Sequence, residues 1–162
     1  MGQVCAEQRL IEHLDKQDII ELVTTSVSMS EQSRWDILAG RYDDEVTIVY
    51  DIAAGESTMT RARYVAWSRA MLSVFDATQH LVTNVFVELA GELAQASAYV
   101  RATHRVGSDL WIVGGIYKFL VGRNIAGGWV IKRQQLVVLY EEGMTDMAAI
   151  SRKKAEQFAA SV

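Results

Sequence analysis

Residues 93–106 read L-A-Q-A-S-A-Y-V-R-A-T-H-R-V. Ala94, Ala96, Ala98, Val100, Ala102, His104 and Val106 fall on one face. Gln95, Ser97, Tyr99, Arg101, Thr103 and Arg105 fall on the other. A period of two with one apolar face marks a half-buried antiparallel strand. Working outward, residues 79–90 read as a preceding strand, joined by the tight turn A-G-E (90–92). Residues 110–121 and 129–141 read as two further strands, linked by G-R-N-I-A-G-G. The second half of the chain is therefore sheet.

The first half reads mainly as helix. Leu10, Ile11 and Leu14 recur at helical spacing, as do Ile19, Leu22, Val23 and Val27. These suggest two opening helices, the second begun by Asp18 with Glu21 in the manner of a capping box. The run S-V-S-M-S-E-Q-S (26–33) breaks the stripe, and a short helix is expected over 34–42. E-V-T-I-V-Y-D (45–51) is β-branched and reads as a strand, and A-A-G-E-S (53–57) as a turn. Residues 60–76 read as a helix burying Tyr64, Trp67, Met71, Leu72 and Phe75. Residues 145–160 read as a terminal helix. Together this predicts an α+β fold over residues 1–162 as one domain: a curved antiparallel sheet wrapped around N-terminal helices.

Composition narrows the function. A net charge of −4 gives no basic excess for nucleic acid. No apolar run reaches the roughly 18–20 residues that span a bilayer. The start, M-G-Q-V-C-A-E-Q, lacks a signal-peptide pattern. Its Gly2 suggests myristoylation, but Ala6 stands where that motif wants Ser or Thr. Cys5 is the only cysteine, so no intrachain disulfide forms. A cytoplasmic location is the expectation. The absence of proline leaves turns to Gly, Asn, Asp and Ser.

Most catalytic patterns are missing. His13, His80 and His104 form no H-x-x-x-H pair, no G-x-S-x-G occurs, and the glycine-rich loop at 122–128 precedes a strand rather than a helix. What remains is acid–base chemistry. His104 lies on the apolar face of its strand, and His80 shares a strand face with Val82, Asn84 and Phe86. A lone imidazole on such a face is ordinarily a hydrogen-bonded core residue. Two on neighbouring strands point to a site. His13, among Glu12, Asp15 and Lys16, reads as solvated. Two acids stand near the end of the second helix as partners for a base, Glu31 and Asp36, and patterning does not choose between them.

The pieces E-Q-S-R-W-D-I-L (31–38), the strand ending at Tyr50, Q-H-L-V-T-N (79–84), G-G-I-Y (114–117), G-G-W-V-I (127–131) and V-V-L-Y-E-E (137–142) resemble, in order and spacing, the SnoaL-like branch of the nuclear transport factor 2-like superfamily. The likeness covers roughly residues 14–142. Within it, the chain looks most like the dehydratase group, which includes scytalone dehydratase, bacterial bile acid 7α-dehydratase and hexachlorocyclohexane dehydrochlorinase. The resemblance implies a cone-shaped α+β barrel with a deep apolar pocket and a homodimer or homotrimer. It implies a cofactor-independent lyase of secondary-metabolism type, eliminating water from a hydrophobic cyclic hydroxy-carbonyl substrate. An isomerase or cyclase and a non-catalytic binding or assembly module are the alternatives. His80 matches the family base and Glu31 its acid, where relatives carry aspartate. Tyr50 matches a hydroxyl donor and His104 a second histidine that protonates the leaving group or positions substrate. A tyrosine of the relatives falls near Ser26 or Ser30 here and is lost. Tyr117, or Lys118 if the strand slips by one, lines the pocket, with Asn84, Phe86 and Trp35 as further candidates. Moving only protons, such chemistry needs no metal or organic cofactor.

Overall fold

A computed structural model describes residues 2–50 and 55–159. In chain order the elements are α1 (Gly2–Glu31), α2 (Trp35–Ala39), β1 (Tyr42–Tyr50), β2 (Gly55–Thr60), α3 (Arg61–Leu72), β3 (Ala77–Ala90), β4 (Leu93–Val106), β5 (Asp109–Arg123), β6 (Trp129–Gly143) and α4 (Asp146–Ala159). One six-stranded sheet runs β2-β1-β6-β5-β4-β3. The α+β architecture is as expected, a curved sheet about the N-terminal helix, and the sheet stays unclosed, with β2 and β3 as its edges. The hairpins make β3 to β6 antiparallel. β1 instead lies parallel to β6. Between those two strands in the chain stand α3 and four more strands, so no tight turn dictates their relative direction.

Several boundaries differ from the sequence reading. The opening pair of helices is one helix. No Gly or Pro interrupts residues 3–31, so nothing forces a break at Asp18. Residues 5–14 are all exposed, Leu10, Ile11 and Leu14 included. From Ile19 onward the stripe turns inward. Ile19, Leu22, Val23 and Val27 pack with Val113, Phe119, Val121 and Ile131 of the sheet in one core. Each such burial contributes roughly 1.5–3 kcal/mol. The serine run is helical through Glu31, where a Schellman motif ends α1. Arg34 N donates to Met29 O at 2.8 Å, Ser33 N donates to Ser30 O at 3.2 Å, and Ser33 sits at φ 56°.

The turn expected at 53–57 is replaced where it can be described. Residues 53 and 54 lie outside the described residues, as do Asp51 and Ala160, while Gly55–Ser57 open the edge strand β2. G-E-S-T-M-T carries no apolar alternation because this edge strand is almost wholly exposed. Thr60 then caps α3, its hydroxyl accepting from Arg63 N at 3.3 Å.

β3 changes phase partway. Its register with β4 shifts between Thr83 and Phe86, and Asn84 sits at φ 54°. A bulge inserts one residue and swaps the faces beyond it. His80 and Val82 face in before it; Val85, Val87 and Leu89 face in after it. Asn84 and Phe86 are therefore corrected to the outer side, with Phe86 59% exposed. On β5 no slip occurs: Tyr117 is buried and Lys118 exposed.

Candidate active site

The Schellman turn makes Glu31 the last residue of α1, beside β3. Its Oε1 accepts from His80 Nδ1 at 2.9 Å and from the His80 backbone N at 2.5 Å. One oxygen thus grips both ring and main chain. A carboxylate only accepts, so Nδ1 carries the proton and Nε2 is left as a lone pair. The two side chains are 11% and 18% exposed. Glutamate's extra methylene is accommodated at ordinary hydrogen-bond length. Asp36 is 76% exposed beside Arg34, at 3.8 Å, and does not share this contact.

His104, on the adjacent strand, is buried edge-on to His80, ring centroids 5.2 Å apart. Its ring stacks on Trp111 at 4.5 Å, and Nδ1 meets Trp111 O at 3.3 Å. A carbonyl only accepts, so this imidazole also carries its proton on Nδ1 and presents an Nε2 lone pair. Burial, then the neighbouring His80, lowers its pKa from 6.5 to about 4. At neutral pH it is an uncharged acceptor.

Tyr50 ends β1 and belongs to a buried polar chain. Tyr64 Oη donates to Tyr42 Oη at 3.0 Å, and Tyr42 Oη to Gln134 Oε1 at 2.6 Å. Gln134 Nε2 donates to Tyr50 Oη at 2.9 Å. Burial holds all three phenols above their ordinary pKa, so they stay protonated. Burial does the same to Tyr117.

These groups border two adjoining cavities. The first, about 60 Å³, is walled by His80, His104, Trp111, Val113 and Leu136, with Ala148, Ser151 and Arg152 of α4 across from them. The second, about 50 Å³, is walled by Ser26, Ser30, Tyr42, Tyr64, Ser68 and Gln134. Tyr50, Met71, His80 and Tyr117 border both. One chamber is mainly apolar, the other is lined with hydroxyls, and His80 borders both.

Of the residues expected at the site, His80, Glu31, Tyr50, His104 and Tyr117 come together. Asn84 and Phe86 do not, because of the bulge. Trp35 borders a separate cleft of about 380 Å³ behind Glu31, with Arg69, Ser73 and Thr78. Sequence reasoning missed Gln134, Tyr42 and the α4 wall. Gln134 carried a signal: a polar residue on the same face of β6 as Leu136. Among the described residues, no cluster of three or more His, Cys, Asp or Glu side chains is placed to hold a metal ion.

A SnoaL-like domain family model matches residues 12–135. A solved structure, the Kfla4162 protein of Kribbella flavida, is 28% identical with a TM-score of 0.79, covering 85% of this chain and 99% of its own. A protein named "putative scytalone dehydratase" from Novosphingobium aromaticivorans is 20% identical with a TM-score of 0.72, covering 86% and 91%. LinA-type3 hexachlorocyclohexane dehydrochlorinase of Novosphingobium barchaimii is 15% identical with a TM-score of 0.67, covering 84% and 92%. At these lower identities the likeness shows the shared fold. No curated protein matches the chain by sequence.

Proposed function

We propose that this chain, which belongs to the SnoaL-like domain family, is a cofactor-independent lyase that removes water from a hydrophobic cyclic hydroxy-carbonyl compound. The observation that carries the reading is His80, at the wall of an apolar cavity, with its ring held by Glu31. His80 Nε2 takes a proton from the carbon beside the carbonyl. Glu31 holds the ring and stabilises the imidazolium that forms. Tyr50 donates to the enolate oxygen as charge gathers there. The carbon–oxygen bond then breaks, and the departing hydroxide takes the proton back from His80 to leave as water. With its pKa lowered to about 4, His104 is uncharged at neutral pH and holds no Nε2 proton to give the leaving group. Of its two expected roles, positioning remains: its Nε2 accepts from the substrate hydroxyl. The whole chain is read as one catalytic domain.

A second reading has an observation of its own. About 60 Å³ is less than half of the ~150 Å³ apolar cavity that takes up benzene. A cyclic substrate therefore needs a wall to move, and α4 is a wall outside the sheet ladder, tied to α3 through Ser151 Oγ donating to Met71 O at 2.6 Å. A chamber that never opens would suit a non-catalytic assembly module with a satisfied core histidine. In either case a homo-oligomer is proposed, formed by the outer sheet face that exposes Leu81, Tyr99, Leu139 and Tyr140.

The test is a panel of hydroxylated cyclic ketones in deuterated water. Trp111 fluorescence reads binding, enone absorbance reads elimination, and mass spectrometry reads deuterium at the carbon beside the carbonyl. The lyase reading expects at least one compound to lose water, with His80→Asn abolishing it. Binding with neither elimination nor exchange across the panel overturns the reading in favour of a binding module.

A further inference from the structure

β6 alternates between faces of the sheet, and position 134 faces inward as Leu136 does. An apolar side chain is the ordinary occupant of such a site. Gln134 is there instead, fully buried between Ile48 of β1 and Phe119 of β5. Both ends of its amide are used. The carbonyl end accepts from Tyr42 and the amino end donates to Tyr50. These ends are not interchangeable: one only accepts and the other only donates. Tyr42, itself receiving a hydrogen bond from Tyr64, donates to Oε1 and so holds the amide in one orientation. The polarity runs one way, from Tyr64 through Tyr42 and Gln134 to Tyr50.

The consequence falls on Tyr50. A lone pair of its oxygen is occupied by Gln134, and its proton is left to point elsewhere. The Tyr64 hydroxyl and the cavity are what lie before it. We infer that Gln134 is a positioning residue that commits Tyr50 to hydrogen-bond donation, so that the site admits substrates presenting an acceptor oxygen there, a carbonyl that becomes an enolate, and disfavours a hydroxyl donor. With His80 and His104, each bearing an Nε2 lone pair, also bordering it, the chamber has one donating and two accepting points. The inference rests on the lyase reading for the task of Tyr50 and narrows which substrates that task admits.

The probe is cyclohexanone labelled with ¹³C at the carbonyl, observed by difference infrared spectroscopy with the full-length protein. In the wild type the bound carbonyl band moves below its frequency in hexane, and Tyr50→Phe removes the shift. Gln134→Glu puts an acceptor-only carboxylate against both tyrosines and draws the Tyr50 proton away from the cavity. The shift disappears and affinity falls roughly tenfold, the loss of one hydrogen bond. Gln134→Met keeps the volume without the polarity, and the band broadens as Tyr50 rotates freely. It decides the matter if the glutamate variant does not fold. Wild-type shift and affinity in both Gln134 variants, with Tyr50→Phe still losing the shift, overturn the inference and leave the lyase reading standing. A shift that survives Tyr50→Phe, or a wild type without one, overturns the role of Tyr50 and the inference with it.

Discussion

His104 makes the acid stability of this protein calculable. Its folded pKa is about 4 against an ordinary 6.5. As pH falls through 6.5 the unfolded chain takes up a proton that the folded chain refuses, so folding weakens. The contribution is fully present above pH 6.5 and is lost between about 6.5 and 4. At 1.36 kcal/mol for each tenfold change in proton affinity, the total is about 3 kcal/mol. Linkage puts roughly 1 kcal/mol of the loss at pH 5.5 and roughly 2–3 kcal/mol at pH 4.5. Carboxylates titrate in the same range, so the comparison is with His104→Asn, whose amide can still donate toward Trp111 O but does not titrate. Urea unfolding of both chains from pH 8 to 4.5 gives the difference in stability at each pH. The wild type should lose its advantage over the variant by about those amounts. A difference that stays flat within about 0.5 kcal/mol would mean a hydrated or charged imidazole. The neutral-acceptor role assigned to His104 would then be wrong.

Three other outcomes are expected. Glu31→Gln should cut the elimination rate roughly 10²–10⁴-fold by removing the group that holds the His80 tautomer, while Asp36→Asn leaves it within about twofold, measured as kcat on any active ketone. Phe86→Ser, beyond the β3 bulge, should change unfolding free energy by no more than about 0.5 kcal/mol, whereas Val87→Ala costs roughly 1–3 kcal/mol; the reverse order in chemical denaturation would show that the strand does not change phase. Gly115→Ala should destabilise by roughly 1–3 kcal/mol, because its new Cβ would lie 2.6 Å from the Val137 carbonyl oxygen. Gly114→Ala should cost less despite a nominal 2.0 Å approach, since the atom it meets belongs to the exposed Tyr140 ring, which can swing aside; thermal melts of the pair decide it.

How much of this was legible beforehand varies by element. Strand β4 was readable almost residue by residue, because side-chain direction in a strand is a local consequence of backbone geometry. Its predicted inner face from Ala94 to His104 is buried, and only Val106 at the end departs. The same rule failed on β3, since Asn84 at φ 54° breaks the alternation and nothing in V-T-N-V-F announces a bulge. The edge strand β2 was invisible because it buries almost nothing, and pattern reading detects burial. The break proposed at Asp18 shows the converse error: a capping pattern matters only where the helix ends.

The site divides in the same way. That His80 and His104 share a chamber followed from their faces on strands expected to be neighbours, and the family likeness singled out Glu31. The choice of Glu31 over Asp36 was made by the left-handed turn at Ser33, which stops α1 with its last carboxylate against β3, 49 positions on in the chain. Gln134 illustrates the limit best. Its residue type and inward position were on view, but the hydrogen bonds that give it meaning come from β1 and, through Tyr42, from α3. Local sequence determines which way a side chain points. Which partner it meets there depends on elements far apart in the chain, and only their packing brought a donor and an acceptor within 3 Å of each other.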